Sequence, residues 1–192
     1  MNVAHLNPFI SAVTGLFQTT VKVPVKLGTV AVRQPDERLS KLYRVSAIVE
    51  LSGAVSGRVV ICFAQPVAVT LAAAFLGRAL PSDGGPDLHH ALAAIARQII
   101  DAAKPGLPNA EHIAVANPVV LLSSEVRVPP GPAILLPFDT PTGRLVLEIC
   151  LVDAPATAAP PATAAPPATA APPATAARPA ASKVASGKTR AA

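Results

Sequence analysis

The sequence predicts an α+β fold: a mainly antiparallel sheet with helices packed on one face, followed by a disordered Ala/Pro-rich tail. Three observations predict it. Helix-like and strand-like runs are grouped as one helix, three strands, two helices and three strands, not as alternating strand and helix units. Turn signals between neighbouring strand-like runs suit direct antiparallel connection. At Ala154 the composition changes abruptly to an Ala/Pro/Thr repeat that cannot extend a packed core.

Asn7-Pro8 is read as the start of the first helix, with Asn as cap and Pro in the first turn. Ile10, Val13 and Phe17 follow at helical spacing and carry the helix from about Pro8 to about Thr20. Leu27 to Arg33 reads as a strand, and Gln34-Pro35-Asp36-Glu37 as a turn or loop. Tyr43 to Leu51 and Arg58 to Phe63 read as a strand pair. The two glycines in Ser52–Gly57 favour a loop longer than two residues. Pro66 opens a second helix over Val67 to Leu76, which Gly77 closes.

The chain is organised around the next stretch, residues 86–104. Leu88, Leu92, Ile95 and Ile99 recur at helical spacing, flanked by Ala91, Ala96, Ala102 and Ala103. They form one apolar stripe for a core. His90, Ala94, Arg97, Asp101 and Lys104 fall on the opposite side, where Arg97 and Asp101 are spaced to pair weakly in solvent. Pro105-Gly106 stops the helix, and Lys104 suits its C-terminal dipole. Ile113 to Leu122 follows as a strand broken near Asn117-Pro118. Ala133 to Phe138 and Arg144 to Val152 then read as strands joined by the turn Asp139–Gly143.

Composition narrows the function. With five Phe, one Tyr and no Trp, the core must be aliphatic. No apolar run approaches the roughly 18–20 residues of a membrane span. The N-terminus lacks the basic and apolar regions of a signal peptide, so a cytoplasmic protein is expected. The net charge of +5 belongs mostly to the tail. Residues 1–153 hold twelve Lys and Arg against eleven Asp and Glu, whereas residues 154–192 hold Arg178, Lys183, Lys188 and Arg190 with no acid. Cys62 and Cys150 lie in strand-like apolar runs without metal-ligand spacing and read as buried thiols. His89-His90 has only Asp87 nearby as a further ligand type, so no metal and no cofactor are expected.

Residues 155–178 are four hexads, Pro-Ala-Thr-Ala-Ala-Pro three times and then Pro-Ala-Thr-Ala-Ala-Arg. The domain therefore spans 1–153, and 154–192 is read as a semi-extended linker with a basic, disordered end. Four charges without aromatic neighbours give at most weak, salt-sensitive contact with a polyanion.

Several stretches, in order, resemble the CheX branch of the CheC/CheX/FliY chemotaxis phosphatase family. They are Met1-Asn2-Val3 with Leu6-Asn7-Pro8-Phe9-Ile10, Val49-Glu50-Leu51-Ser52-Gly53 with Gly57-Arg58-Val59-Val60, and Ala74-Phe75-Leu76-Gly77. Gly131 to Thr140, with Gly143 and Leu147-Glu148-Ile149-Cys150-Leu151, match best. The resemblance implies a CheX-like fold, a homodimer joined through its sheet, and hydrolytic dephosphorylation of a phosphorylated CheY-like receiver domain. The family signature is Glu-x-x-Asn on the helix corresponding to residues 87–104. Residues three apart share a helix face, so the carboxylate engages a receiver lysine while the amide orients an attacking water.

The sequence departs at that signature. The natural register puts Ala94 at the Glu position and Arg97 at the Asn position. Ala94 has no polar group, and Arg97 donates hydrogen bonds but accepts none from water. A shift by one residue offers Gln98, read as nearer the apolar stripe and still without an acidic partner. The expectation is a domain with no catalytic pair that binds a CheY-like receiver through His90, Arg97 and Asp101. Two alternatives stand beside it: an active phosphatase with altered site residues, and a dimeric adaptor whose basic tail binds a polyanion.

Overall fold

The structure, a computed structural model, describes residues 5–33, 43–122 and 133–153. A sheet carries helices on one face. Helix α1 (Leu6–Leu16) continues as a π-helical turn, Phe17–Val21. Strands β1 (Lys26–Leu27), β2 (Ala31–Arg33), β3 (Val45–Gly53) and β4 (Val55–Phe63) follow. Helices α2 (Gln65–Leu76) and α3 (Gly85–Ala103) come next. Strands β5 (Ile113–Val115), β6 (Val119–Leu121), β7 (Ala133–Thr140) and β8 (Gly143–Asp153) complete the domain. The sheet runs β1-β7-β8-β4-β3-β5, with β2 also on β7 and β6 also on β3, and every pairing is antiparallel.

The expected α+β class holds, with local corrections. His5, not Asn7, is the residue before α1, and it makes no side-chain cap bond. Asn7 and Pro8 lie inside the first turn, where backbone N–H groups lack intrahelical partners and proline costs nothing. The strand expected over Leu27 to Arg33 is two short strands. Pro137 of β7 explains the break: its carbonyl accepts from Gly28 N–H at 2.8 Å. The same side of Pro137 has no N–H to return, so the ladder lapses there. The Ile113–Leu122 strand likewise divides around Asn117-Pro118, giving four strands in each group instead of three.

The β3–β4 hairpin bears out the longer connection. Its ladder ends at Leu51 opposite Gly57. The intervening residues still count as strand because they pair outward: Gly53 opposite Ile113 of β5, and Val55 opposite Asp153 of β8. Gly57 has φ +142°, and a Cβ there would fall 2.0 Å from the Cys150 carbonyl oxygen. Only glycine allows β4 and β8 to approach so closely.

The helix-side core is one continuous cluster. It joins Phe9, Val13 and Phe17 of α1, Leu71 of α2, Leu88, Leu92, Ile95 and Ile99 of α3, and alternate sheet residues such as Val49, Ile61, Phe138 and Leu147. On the other sheet face a smaller cluster holds Val60, Cys62 and Val146. Beside it Arg33 and Glu148 are paired, 1% and 2% exposed. Arg33 Nε donates to Glu148 Oε1 at 3.1 Å. The ends of the domain meet where His5 Nε2 lies 2.9 Å from Asp153 Oδ1. That approach lacks hydrogen-bond alignment, so it is an ion pair only with the ring protonated.

Among the described residues, no helix is long and apolar enough to cross a membrane. The loop expected over Gln34–Glu37, the N-terminal Met1-Asn2-Val3 and the tail from residue 154 lie outside the described residues.

Candidate functional face on helix α3

Helix α3 forms because its first turn carries Pro86 and the acidic Asp87, and its interior is mostly Ala, Leu and Ile. Its two ends are fixed by close packing. Gly84 (φ +80°) precedes it, and a Cβ there would sit 2.5 Å from Leu88 Cδ2. Beyond its C-terminus the 3₁₀ turn Lys104–Gly106 lies on α1, where a Cβ at Gly106 would be 2.7 Å from Pro8 Cγ. Arg78, just after α2, donates to Asp87 at 2.5 Å and clips the two helices together. The helix packs against both α1 and α2 and across β3.

The inner stripe is as the periodicity implies: Leu88, Leu92, Ile95, Ile99, Ala91, Ala96 and Ala103 are buried. Ala102, expected to flank that stripe, is exposed. The outer stripe carries exposed His90, half-buried Ala94, and Arg97 and Asp101 at 42% and 51% side-chain exposure. The structure brings Arg97 and Asp101 together. Arg97 Nε donates to Asp101 Oδ2 at 2.9 Å and Oδ1 at 3.1 Å. His90 stands on the same side, two turns before Arg97, and makes no hydrogen bond among the described residues.

Gln98 is exposed, contrary to the expectation that it lies near the apolar stripe. It follows Ala94 by four residues, so helical geometry puts it on the outer side as well. That spacing was available in the sequence. The amide lies three residues before Asp101, but the residue three before it, Ile95, is fully buried. A Glu-x-x-Asn-like pair therefore cannot be rebuilt by shifting the register one residue forward.

Among the described residues, no group of three or more His, Cys, Asp or Glu could hold a metal. His89 is half-buried and His90 exposed, so the pair splits between rim and surface. Of the two cysteines only Cys62 is fully buried. Burial in an apolar cluster pushes its thiol up to about 12, opposed by a hydrogen bond from Ser46. Cys150 is half-exposed, contrary to the expectation of two buried thiols. It lines an open depression of about 220 Å³ with Glu50, Gly57 and Arg58 on the outer sheet face.

An antiparallel sheet with helices on one face, one of them long and presenting a narrow polar stripe, defines a two-layer α+β domain. The chain carries a CheX-like domain: the family model described as chemotaxis phosphatase CheX matches residues 45–139. No curated protein matches the sequence. Solved structures agree on the fold. A CheC-like superfamily protein from Shewanella sp. PV-4 is 22% identical, with a TM-score of 0.69 over 79% of this chain and 99% of that one. The chemotaxis protein CheX from Vibrio vulnificus is 22% identical, with a TM-score of 0.67 over 77% and 99%. A chain of the CheX–CheY–BeF3–Mg2+ complex from Borrelia burgdorferi is 17% identical, with a TM-score of 0.63 over 78% and 99%.

Proposed function

We propose that this CheX-like domain binds a CheY-type receiver through the α3 face bearing His90, Arg97 and Asp101, without hydrolysing its phosphate. The observation that carries this reading is the pairing of an exposed Arg97 with Asp101 where an acceptor amide and a preceding carboxylate are needed. Hydrolysis needs a group that both donates to and accepts from water, and a guanidinium only donates. The Borrelia burgdorferi CheX complex contains CheY, which supports the choice of partner. A cytoplasmic location suits that partner.

The test is the decay of phosphorylated receivers from the same genome with and without the full chain, alongside binding of the two. Binding without faster decay is the expected result. Acceleration that Arg97→Ala abolishes would overturn it.

One observation favours a second reading, an active phosphatase with altered residues. Gln98 is an exposed amide on the same side of α3, three residues from Asp101. In that reading Gln98→Ala removes acceleration and Arg97→Ala does not.

A homodimer is the proposed assembly, joined through the sheet. Val119 and Leu121 on edge strand β6 expose apolar surface that a partner strand would cover. Val119→Lys should shift the chain towards monomer in light scattering.

A further inference from the structure

We infer that the end of the sheet around the β7–β8 turn is a basic docking surface for double-stranded DNA, which it engages together with the basic end of the tail. The inference is independent of the α3 face and of what that face binds.

The topology assembles this surface from distant parts of the chain. Lys26 of β1 lies opposite Asp139 of β7, and Asp139 lies opposite Arg144 of β8. Arg44 directly precedes β3. The first residue of β3, Val45, lies opposite Phe63, which in turn lies opposite Leu145, beside Arg144. Lys22 ends the π-helical turn, four residues before Lys26. Strands β1 and β3 are four places apart in the sheet. At about 4.8 Å per strand, the cations spread over roughly 19 Å.

Their charge is uncompensated, unlike that of the other arginines described. Arg33 is paired with Glu148, Arg58 with Glu50, Arg78 with Asp87 and Arg97 with Asp101. At this end the one such pair is Arg144 with Asp139. It uses Nε and Nη2, at 2.7 and 3.3 Å, and leaves Nη1 without a partner among the described residues. Lys22, Lys26 and Arg44 are exposed and form no salt bridge among the described residues. Of nine Lys and Arg described, four are here; of eight Asp and Glu, only Asp139 belongs to the sheet at this end. Asp83 lies in the helix layer, where its carbonyl oxygen accepts from Gln65 Nε2. The rest of the described residues carry more acid than base, so the positive field is local.

The tail repeats the pattern. Residues 154–177 hold no charge, and Arg178, Lys183, Lys188 and Arg190 then follow with no acid. Extended as polyproline II, that uncharged spacer reaches up to roughly 70 Å. Two basic segments joined by such a spacer suit a ligand whose charge repeats along its length, and the tether makes the second contact intramolecular. Tyr43, beside Arg44, packs against the Val60–Cys62–Val146 cluster and gives no platform for stacking bases. The phosphates of a duplex need only cations.

The experiment is fluorescence anisotropy of a labelled random-sequence DNA duplex titrated with the full chain between about 50 and 200 mM salt. Binding is expected to weaken steeply, with a log–log slope of about −0.9 for each phosphate neutralised. The triple variant Lys22→Gln, Lys26→Gln and Arg44→Gln should lose about ten-fold or more in affinity at the lower salt and flatten the slope by about two to three. Gln at the four tail cations should flatten it by a similar amount. A single strand of equal length and phosphatidylserine-containing vesicles should both compete less well than unlabelled duplex.

An unchanged slope in the triple variant would confine binding to the tail and overturn the docking surface. Stronger competition by single strands or vesicles would overturn the duplex as ligand. No salt-dependent binding at the lower salt would overturn the inference as a whole. Receiver binding and circular dichroism of the triple variant, both expected to match the wild type, separate lost DNA contact from a damaged α3 face or fold.

Discussion

The two faces of the sheet are built on different physics. The helix-covered face is dry and aliphatic: Leu145, Leu147, Ile149 and Leu151 of β8 all enter one cluster with α1, α2 and α3. The opposite face mixes apolar and polar groups. On the same strand Val146 is packed with Cys62, Glu148 is ion-paired to Arg33, Cys150 lines an open depression and Val152 is 66% exposed. One strand thus serves a uniform core and a graded surface through alternation alone. The helix side needs only volume and apolar character. The other side needs particular partners.

That contrast breaks most sharply at the buried ion pair. Arg33→Met should leave the Glu148 carboxylate buried beside an uncharged side chain and cost about 3–5 kcal/mol. The double variant Arg33→Met with Glu148→Leu should recover most of the loss in urea unfolding. A similar cost for single and double variants would mean that shape, not charge, decides that site. On the helix side Leu147→Ala should cost about 2–5 kcal/mol through lost burial and a cavity. The exposed Val152→Ala, on the same strand, should stay within about 0.5 kcal/mol. Equal effects at both positions would erase the distinction between the faces.

The thiols sharpen the comparison by pH. The folded state binds the Cys62 proton more tightly than the unfolded chain, because burial pushes the thiol from 9.0 to about 12. Stability contributed there is complete below about pH 9 and is lost as pH rises towards 12. The limiting slope is about 1.4 kcal/mol per pH unit. Burial also raises Tyr43, which titrates in the same direction. Cys62→Ala should flatten the alkaline limb of a stability profile, and a thiol reagent at pH 8 should label Cys150 before Cys62. The smallest effect is expected at the proposed receiver-binding face. Arg97→Ala removes an exposed helix pair worth about 0.3–0.5 kcal/mol, so its melting temperature should barely move.

Much of this was legible in the sequence because periodicity reports burial directly. Leu88, Leu92, Ile95 and Ile99 have no other use at that spacing, and Gly77 (φ +67°) ends α2 as glycine should. The outer stripe followed from the same geometry, including the Arg97–Asp101 pair. Gln98 is the exception: it precedes buried Ile99 in sequence, yet its four-residue step from Ala94 puts it on the exposed outer side. Pro137 misled differently. Its missing N–H matters only for the strand laid beside it, so the break between β1 and β2 could not be read from Leu27–Arg33.

The sequence by itself determined the α+β class, the inner stripe of α3 and the absence of a Glu-x-x-Asn pair. These depend on local propensity, spacing and residue identity, which the chain states outright. Only the tertiary structure decided that Arg33 meets Glu148, that Cys150 is half-exposed while Cys62 is buried, and that residues beyond the β3–β4 ladder pair outward. Each depends on which distant segment lies alongside. Arg33 and Glu148 are 115 residues apart, and nothing local to either names the other. Their pairing follows from β2 and β8 flanking the same strand, β7, in a single antiparallel sheet.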